Sequence, residues 1–133
     1  MRPVRRLAAL AACALAIPCA VALAQATGIK RTVLQRSDVS GPEQKECVLA
    51  SAEIEPGASI GKHRHPGFEV GYVAQGEMDL MVEGEPPKHL KAGDSYAIAT
   101  RVPHDGQNTG AAPAKVIVTY VVEKGKPLAE PVK

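Results

Sequence analysis

Beyond residue 24, no stretch of this 133-residue chain sustains a 3.6-residue apolar period bounded by helix caps, which argues against helical bundles and alternating α/β folds. There is no glycine-rich phosphate loop and no nucleophile arranged with a base and its orienting acid, so P-loop hydrolysis and triad chemistry are set aside. No internal repeat or low-complexity tract divides the chain. Cysteine is scarce: of three, Cys13 and Cys19 lie in an amino-terminal apolar segment and Cys47 stands alone. A lone cysteine cannot close an internal disulfide, so it reads as a small apolar residue buried in a strand, with pairing between chains as the alternative.

Long apolar runs are missing too, with one exception. Residues 7–23 are almost wholly apolar, follow three arginines within the first six residues, and lead into Ala22-Leu23-Ala24, small residues at the two positions a signal peptidase reads. Pro18 inside a run at the short end of what spans a bilayer favours a cleaved signal over a membrane anchor. The expectation is a signal peptide over residues 1–24, cleavage after Ala24 and a bacterial periplasmic protein; lipid attachment at Cys13, in Leu10-Ala11-Ala12-Cys13, is the alternative. The remaining 109 residues suffice for one modest core. Three of the 16 basic residues leave with the signal, so 13 face 14 acidic ones and the net charge becomes −1. No basic footprint for nucleic acid or for a membrane surface survives that subtraction.

What is present has strand character. Residues 47–54, 68–74, 77–83, 95–99 and 115–123 are of strand length, separated by Pro56-Gly57, Pro66-Gly67, Gln75-Gly76, Gly84-Glu85-Pro86-Pro87 and Ala92-Gly93-Asp94. Met78, Leu80 and Val82 alternate with Glu77, Asp79, Met81 and Glu83, a period of two with one buried and one wetter face. Residues 115–122, dense in β-branched side chains, read as a central strand. The pattern is that of an all-β sandwich or barrel over residues 46–123, preceded by an extended arm at 25–45 with room for one strand and followed by a loose tail at 124–133.

Four residues in this frame have the chemistry and spacing of a metal site. His63 and His65, two apart on an extended segment, point to one side; Glu69 keeps that parity if the Pro66-Gly67 turn preserves the face; His104, from a distant strand, can close the set. Taken singly, each histidine beside Lys62 or Arg64 would read as a solvated loop residue, as His89 does after Pro86-Pro87-Lys88. The wider pattern decides otherwise. Gly57, five residues, His63, one, His65, three, Glu69, six, Gly76 is followed, after 16 intervening residues, by Gly93, ten residues, His104, three, Asn108. This register of eight residue types resembles the two signature motifs of the cupin superfamily. Ala99, where proline is common, and Arg101, where glycine is common, depart from it and bear on loop shape more than on the ligand set.

The resemblance implies a double-stranded β-helix, or jelly-roll barrel, with a metal inside one end, and assigns His63, His65, Glu69 and His104 as ligands and Asn108 as a structural residue of its loop. Three imidazoles and one carboxylate suit divalent iron, manganese, nickel, copper or zinc. On an octahedral ion they leave two adjacent positions open, and the formal charge of +1 favours small anionic or enolisable molecules. A purely structural ion would tend to be closed by protein groups. The reading is therefore a metal-dependent enzyme, either a dioxygenase or a lyase or isomerase, with a non-catalytic binding or sensing cupin as the alternative. Tyr72, Tyr96, Gln107 and Tyr120 are polar residues on or near core strands within reach of a pocket, and Arg101 is a candidate carboxylate binder at its mouth; each has packing or solvated-charge readings as well. A homodimer is expected, with Val33-Leu34 of the arm available to a partner subunit.

Overall fold

The computed structural model describes residues 26–133. The segment read as a signal peptide, with Cys13 and the predicted cleavage after Ala24, lies outside the described residues. Among the described residues ten strands run in order: β1 Ile29–Val39, β2 Lys45–Ile54, β3 His63–Arg64, β4 Gly67–Gln75, β5 Glu77–Val82, β6 Lys88–Lys91, β7 Ser95–Ile98, β8 His104–Gln107, β9 Ala114–Glu123 and β10 Glu130–Pro131. They form two five-stranded antiparallel sheets, ordered β1-β2-β9-β4-β7 and β10-β3-β8-β5-β6. Most neighbours in each sheet are distant in sequence, which is the jelly-roll connectivity expected of an all-β barrel.

Strand parity builds the core. In β9 every second residue from Ala114 to Val122 is buried, and β5 buries Met78, Leu80 and Val82 while Glu77, Asp79 and Met81 face outward. These inner faces meet Val48, Ile54, Val73 and Ile98 in one apolar cluster. Asn108 ties the closing loop to it: fully buried, its amide donates to the carbonyls of Ile54 and Ala112, both at 2.8 Å, and its carbonyl oxygen accepts from the Gly110 amide. Cys47 is only partly buried and free of disulfide.

The structure refines the sequence reading at two points and corrects it at a third. His63 and Glu69 are not on one strand: Pro66, which has no N–H to give a ladder, ends β3 and lets the chain cross to the opposite sheet as β4. Gly67 takes that corner because a Cβ there would strike the Val121 carbonyl. The strand allowed for in the arm at 25–45 forms as β1, and its partner is β2 of the same chain. The tail at 124–133 is not loose: β10 pairs with β3, and Ala129 is buried.

The departure at Arg101 has a structural cost. Arg101 sits at φ 63°, the left-handed conformation that glycine adopts freely, and its amide donates to the His65 carbonyl at 3.0 Å. A side chain in that region costs about 1–2 kcal/mol, and its exposed ion pair with Glu123 recovers little. Arg101→Gly is expected to raise stability in urea denaturation by up to about 1 kcal/mol, the gain being trimmed by glycine's unfolded-state entropy; an unchanged or lower midpoint would show the loop to be unstrained.

Candidate metal centre

His63 opens β3 and His104 opens β8, paired directly opposite each other in one sheet, while Glu69 lies on β4 in the facing sheet and His65 on the crossing between them. All four are buried. Each imidazole is fixed by a backbone carbonyl: Nδ1 of His63 donates to Gly61 at 2.7 Å, that of His65 to Leu128 at 2.5 Å, and that of His104 to Val102 at 2.9 Å. A carbonyl oxygen only accepts, so a hydrogen resides on each Nδ1 and, in the neutral ring, Nε2 is left with a lone pair. The rings gather with centroids 4.4–5.2 Å apart. Their ligand atoms lie within 4.8 Å of one another, so the three histidines can hold a metal ion.

The electrostatics point the same way. Glu69 Oε2 lies 2.8 Å from Nε2 of His65 and 3.2 Å from Nε2 of His104, yet these buried atoms make no well-formed hydrogen bond. With neutral rings, three acceptors crowd together in a buried site, an arrangement that a cation resolves. Burial pushes the Glu69 carboxyl up, but the two imidazoles together outweigh it and hold it well below the usual carboxylate range. Burial also lowers His63 to about 4, with the neighbouring imidazoles adding to the shift. At His104 burial lowers the value, but the Glu69 carboxylate overcomes it and the net shift is upward.

Around this cluster runs a narrow cavity of about 20 Å³, room for a water-sized group. Tyr96 and Tyr120 line it, together with Arg31 and the apolar Ile60, Met78, Leu80, Val116 and Val118. Tyr96 donates its hydroxyl to Glu69 Oε1 at 2.8 Å, and its ring lies over Gly71, where any Cβ would collide with it. Tyr120 packs its ring on His65, centroids 4.6 Å apart. Burial, then the adjacent Glu69 charge, raises both phenols and keeps them protonated.

The other candidates are elsewhere. Tyr72 is half exposed on the outer face of β4, Gln107 belongs to the outward parity of β8, and Arg101 pairs with Glu123 at 2.8 Å on the surface. His89 is exposed and bonded to Asp79 at 2.7 Å. Arg31 escaped the sequence reading. Its signal was parity with Ile29, the buried residue of the same strand, but a single charged residue in a mostly polar arm does not mark itself as inward-facing.

A jelly-roll interior with histidines able to hold a metal ion is the architecture of a known class, and comparison with known proteins places the chain in it. The Cupin domain family matches residues 50–120, and the chain belongs to that family. It is 42% identical over 82 residues to the HTH-type transcriptional regulator PuuR of Escherichia coli and equally to that of Shigella flexneri, over 61% of this chain and 44% of each regulator. It thus spans less than half the length of these relatives. Among solved structures it resembles an RmlC-like cupin from Shewanella frigidimarina (26% identity, TM-score 0.59, 74% of this chain and 79% of the other). The DMSP lyase DddQ from Ruegeria pomeroyi (21%, TM-score 0.64, 78% and 51%) and an oxalate oxidase bound to glycolate (22%, TM-score 0.64, 79% and 55%) share the fold.

The opposed shifts within the cluster can be read directly. In chelator-treated protein, NMR titration of the ring nitrogens should place His63 near pH 4 and His104 above the ordinary 6.5. His63's contribution to stability is full above about pH 6.5 and is lost as the pH falls through 4, because the unfolded chain takes up the extra proton; His104's is full below 6.5 and is lost as the pH rises through its folded value. Equal titration of the two rings near 6.5 would contradict this geometry.

Proposed function

We propose that this protein is a periplasmic, metal-dependent cupin enzyme acting on a small anionic or enolisable molecule, by dioxygenase or by lyase or isomerase chemistry. The observation that carries the reading is the gathering of three buried histidines, His63, His65 and His104, around Glu69, with His65 Nε2, His104 Nε2 and Glu69 Oε2 buried and without well-formed hydrogen bonds, beside a cavity lined in part by Arg31. Glu69 is the fourth ligand in this reading. A divalent iron, manganese, nickel, copper or zinc ion held there would supply Lewis-acid or redox chemistry.

The chain's own residues would do the rest. Arg31, the cation among the cavity's lining residues, offers a counter-charge to a carboxylate in the role first expected of Arg101. Tyr96, held protonated, keeps Glu69 oriented through Oε1 and leaves Oε2 directed at the histidines. Ile60, Met78, Leu80, Val116 and Val118 form apolar walls that strengthen every charge interaction inside. The narrowness of the cavity restricts the substrate to a few heavy atoms.

A second reading, a binding or sensing cupin without turnover, draws support from the 42% identity to a transcriptional regulator, higher than the identity to the lyase or the oxidase. A homodimer is also proposed. The outer face of the β1-β2-β9-β4-β7 sheet exposes Phe68, Val70 and Tyr72 in one row, with Val33 and Leu34 of β1 also exposed, an apolar surface suited to a second copy. A light-scattering mass of one chain would remove that claim.

The metal claim is tested by elemental analysis of the purified protein beside His63→Ala and His104→Ala. Near-stoichiometric transition metal in the parent and a loss of at least tenfold in affinity in both variants are expected; negligible metal, or equal metal in all three, sinks the reading. With formate, an anion of three heavy atoms, as probe, the loaded parent should gain thermal stability and Arg31→Met should lose most of that gain. Consumption of a small carboxylate, or dioxygen uptake with it, distinguishes the enzyme from the sensor, which would bind without loss of ligand.

A further inference from the structure

The three histidines are not held alike. His63 and His104 donate to carbonyls two residues away, Gly61 and Val102, so the local backbone that presents each ring also fixes it. His65 donates instead to Leu128, 63 positions along the chain and beyond the matched family region at 50–120. Its orientation therefore depends on where the carboxy-terminal segment lies.

That segment is docked by a short series of contacts. Glu130 and Pro131 of β10 pair with Arg64 and His63 of β3, which flank or belong to the ligand pair. The Val132 amide donates to the Lys62 carbonyl at 2.9 Å, Arg64 Nε meets Glu130 Oε2 at 3.0 Å, Ala129 is buried and Leu128 packs against the core. Pro131 suits a strand at the sheet edge, where no N–H is required of it. The docking is modest in strength: a two-residue strand and an ion pair whose side chains are 44% and 33% exposed.

We infer that residues 128–133 form a strap that positions His65 for metal, so that strap docking and metal affinity are coupled. The inference rests on the metal reading of the site and adds to it a residue-level control outside the family's matched region. With the strap in place, the Leu128 carbonyl holds the proton on Nδ1 of His65 and aims Nε2 into the cluster. With it displaced, the ring can rotate or change tautomer and the third ligand is lost. Coupling is reciprocal, so an ion that needs His65 in place must also hold the strap down.

The test uses Zn²⁺ with the full chain and a chain ending at Pro127. Zn²⁺ should slow amide hydrogen exchange of residues 128–133 in the full chain, and removal of those residues should weaken Zn²⁺ affinity in a chelator competition by at least about tenfold while the β circular-dichroism signal persists. Equal affinity in the two chains overturns the strap. Should the shortened chain not fold, Glu130→Arg and the swap Arg64→Glu/Glu130→Arg decide: weaker binding in the first and recovery in the second are expected, and identical affinities overturn the inference. Absence of Zn²⁺ binding by the full chain would fell the metal reading and the strap together, whereas binding indifferent to the tail fells the strap alone.

Discussion

Three N–H groups pointed the same way, away from the centre, determine everything else at this site. Because His63, His65 and His104 each give the Nδ1 hydrogen to a backbone carbonyl, each must present Nε2 inward, and the Glu69 carboxylate meets those of His65 and His104 at 2.8 and 3.2 Å. In water such an arrangement would dissolve. Inside a barrel it is held by Tyr96 on Glu69, by Tyr120 on His65 and by the sheet pairing of His63 with His104. The interior is thus organised around a concentration of acceptors for which a cation is the natural complement.

The two-sheet construction is what makes the convergence possible. Ligands on a single strand would lie in a row, whereas Pro66 sends the chain from one sheet to the other between His65 and Glu69, so the carboxylate faces the imidazoles across the barrel. Two glycines permit the close approaches that follow. Gly67 lets β4 pass the Val121 carbonyl, and Gly71 leaves room for the Tyr96 ring beneath Glu69. Replacing either by alanine would place a Cβ inside an occupied volume.

Much of this was legible in the sequence, and the gaps have physical causes. The strands at 47–54, 68–74, 77–83, 95–99 and 115–123 declared themselves by length, alternation and turn residues, and β2, β4, β5, β7 and β9 fall on them within one or two residues. The spacing of the histidines and Glu69 brought together four residues that the fold does collect, and Asn108 anchors its loop as read. Short strands such as β3 and β10 carry too few residues to show a period. Tail docking and the inward turn of Arg31 depend on partners dozens of residues away, which no local pattern records. Tyr72 and Tyr96 are chemically identical in the sequence; only the register separates a half-exposed ring on the outer face from one bonded to Glu69.

The most direct test of the account is X-ray absorption spectroscopy of the metal-loaded protein. A first shell of three imidazole nitrogens, with the outer-ring scattering that imidazole gives, at about 2.0–2.2 Å and one or more oxygens at similar distance is expected, the imidazole signal falling by a third in His65→Ala. A shell of oxygens without imidazole scattering, or one containing sulfur, would contradict it.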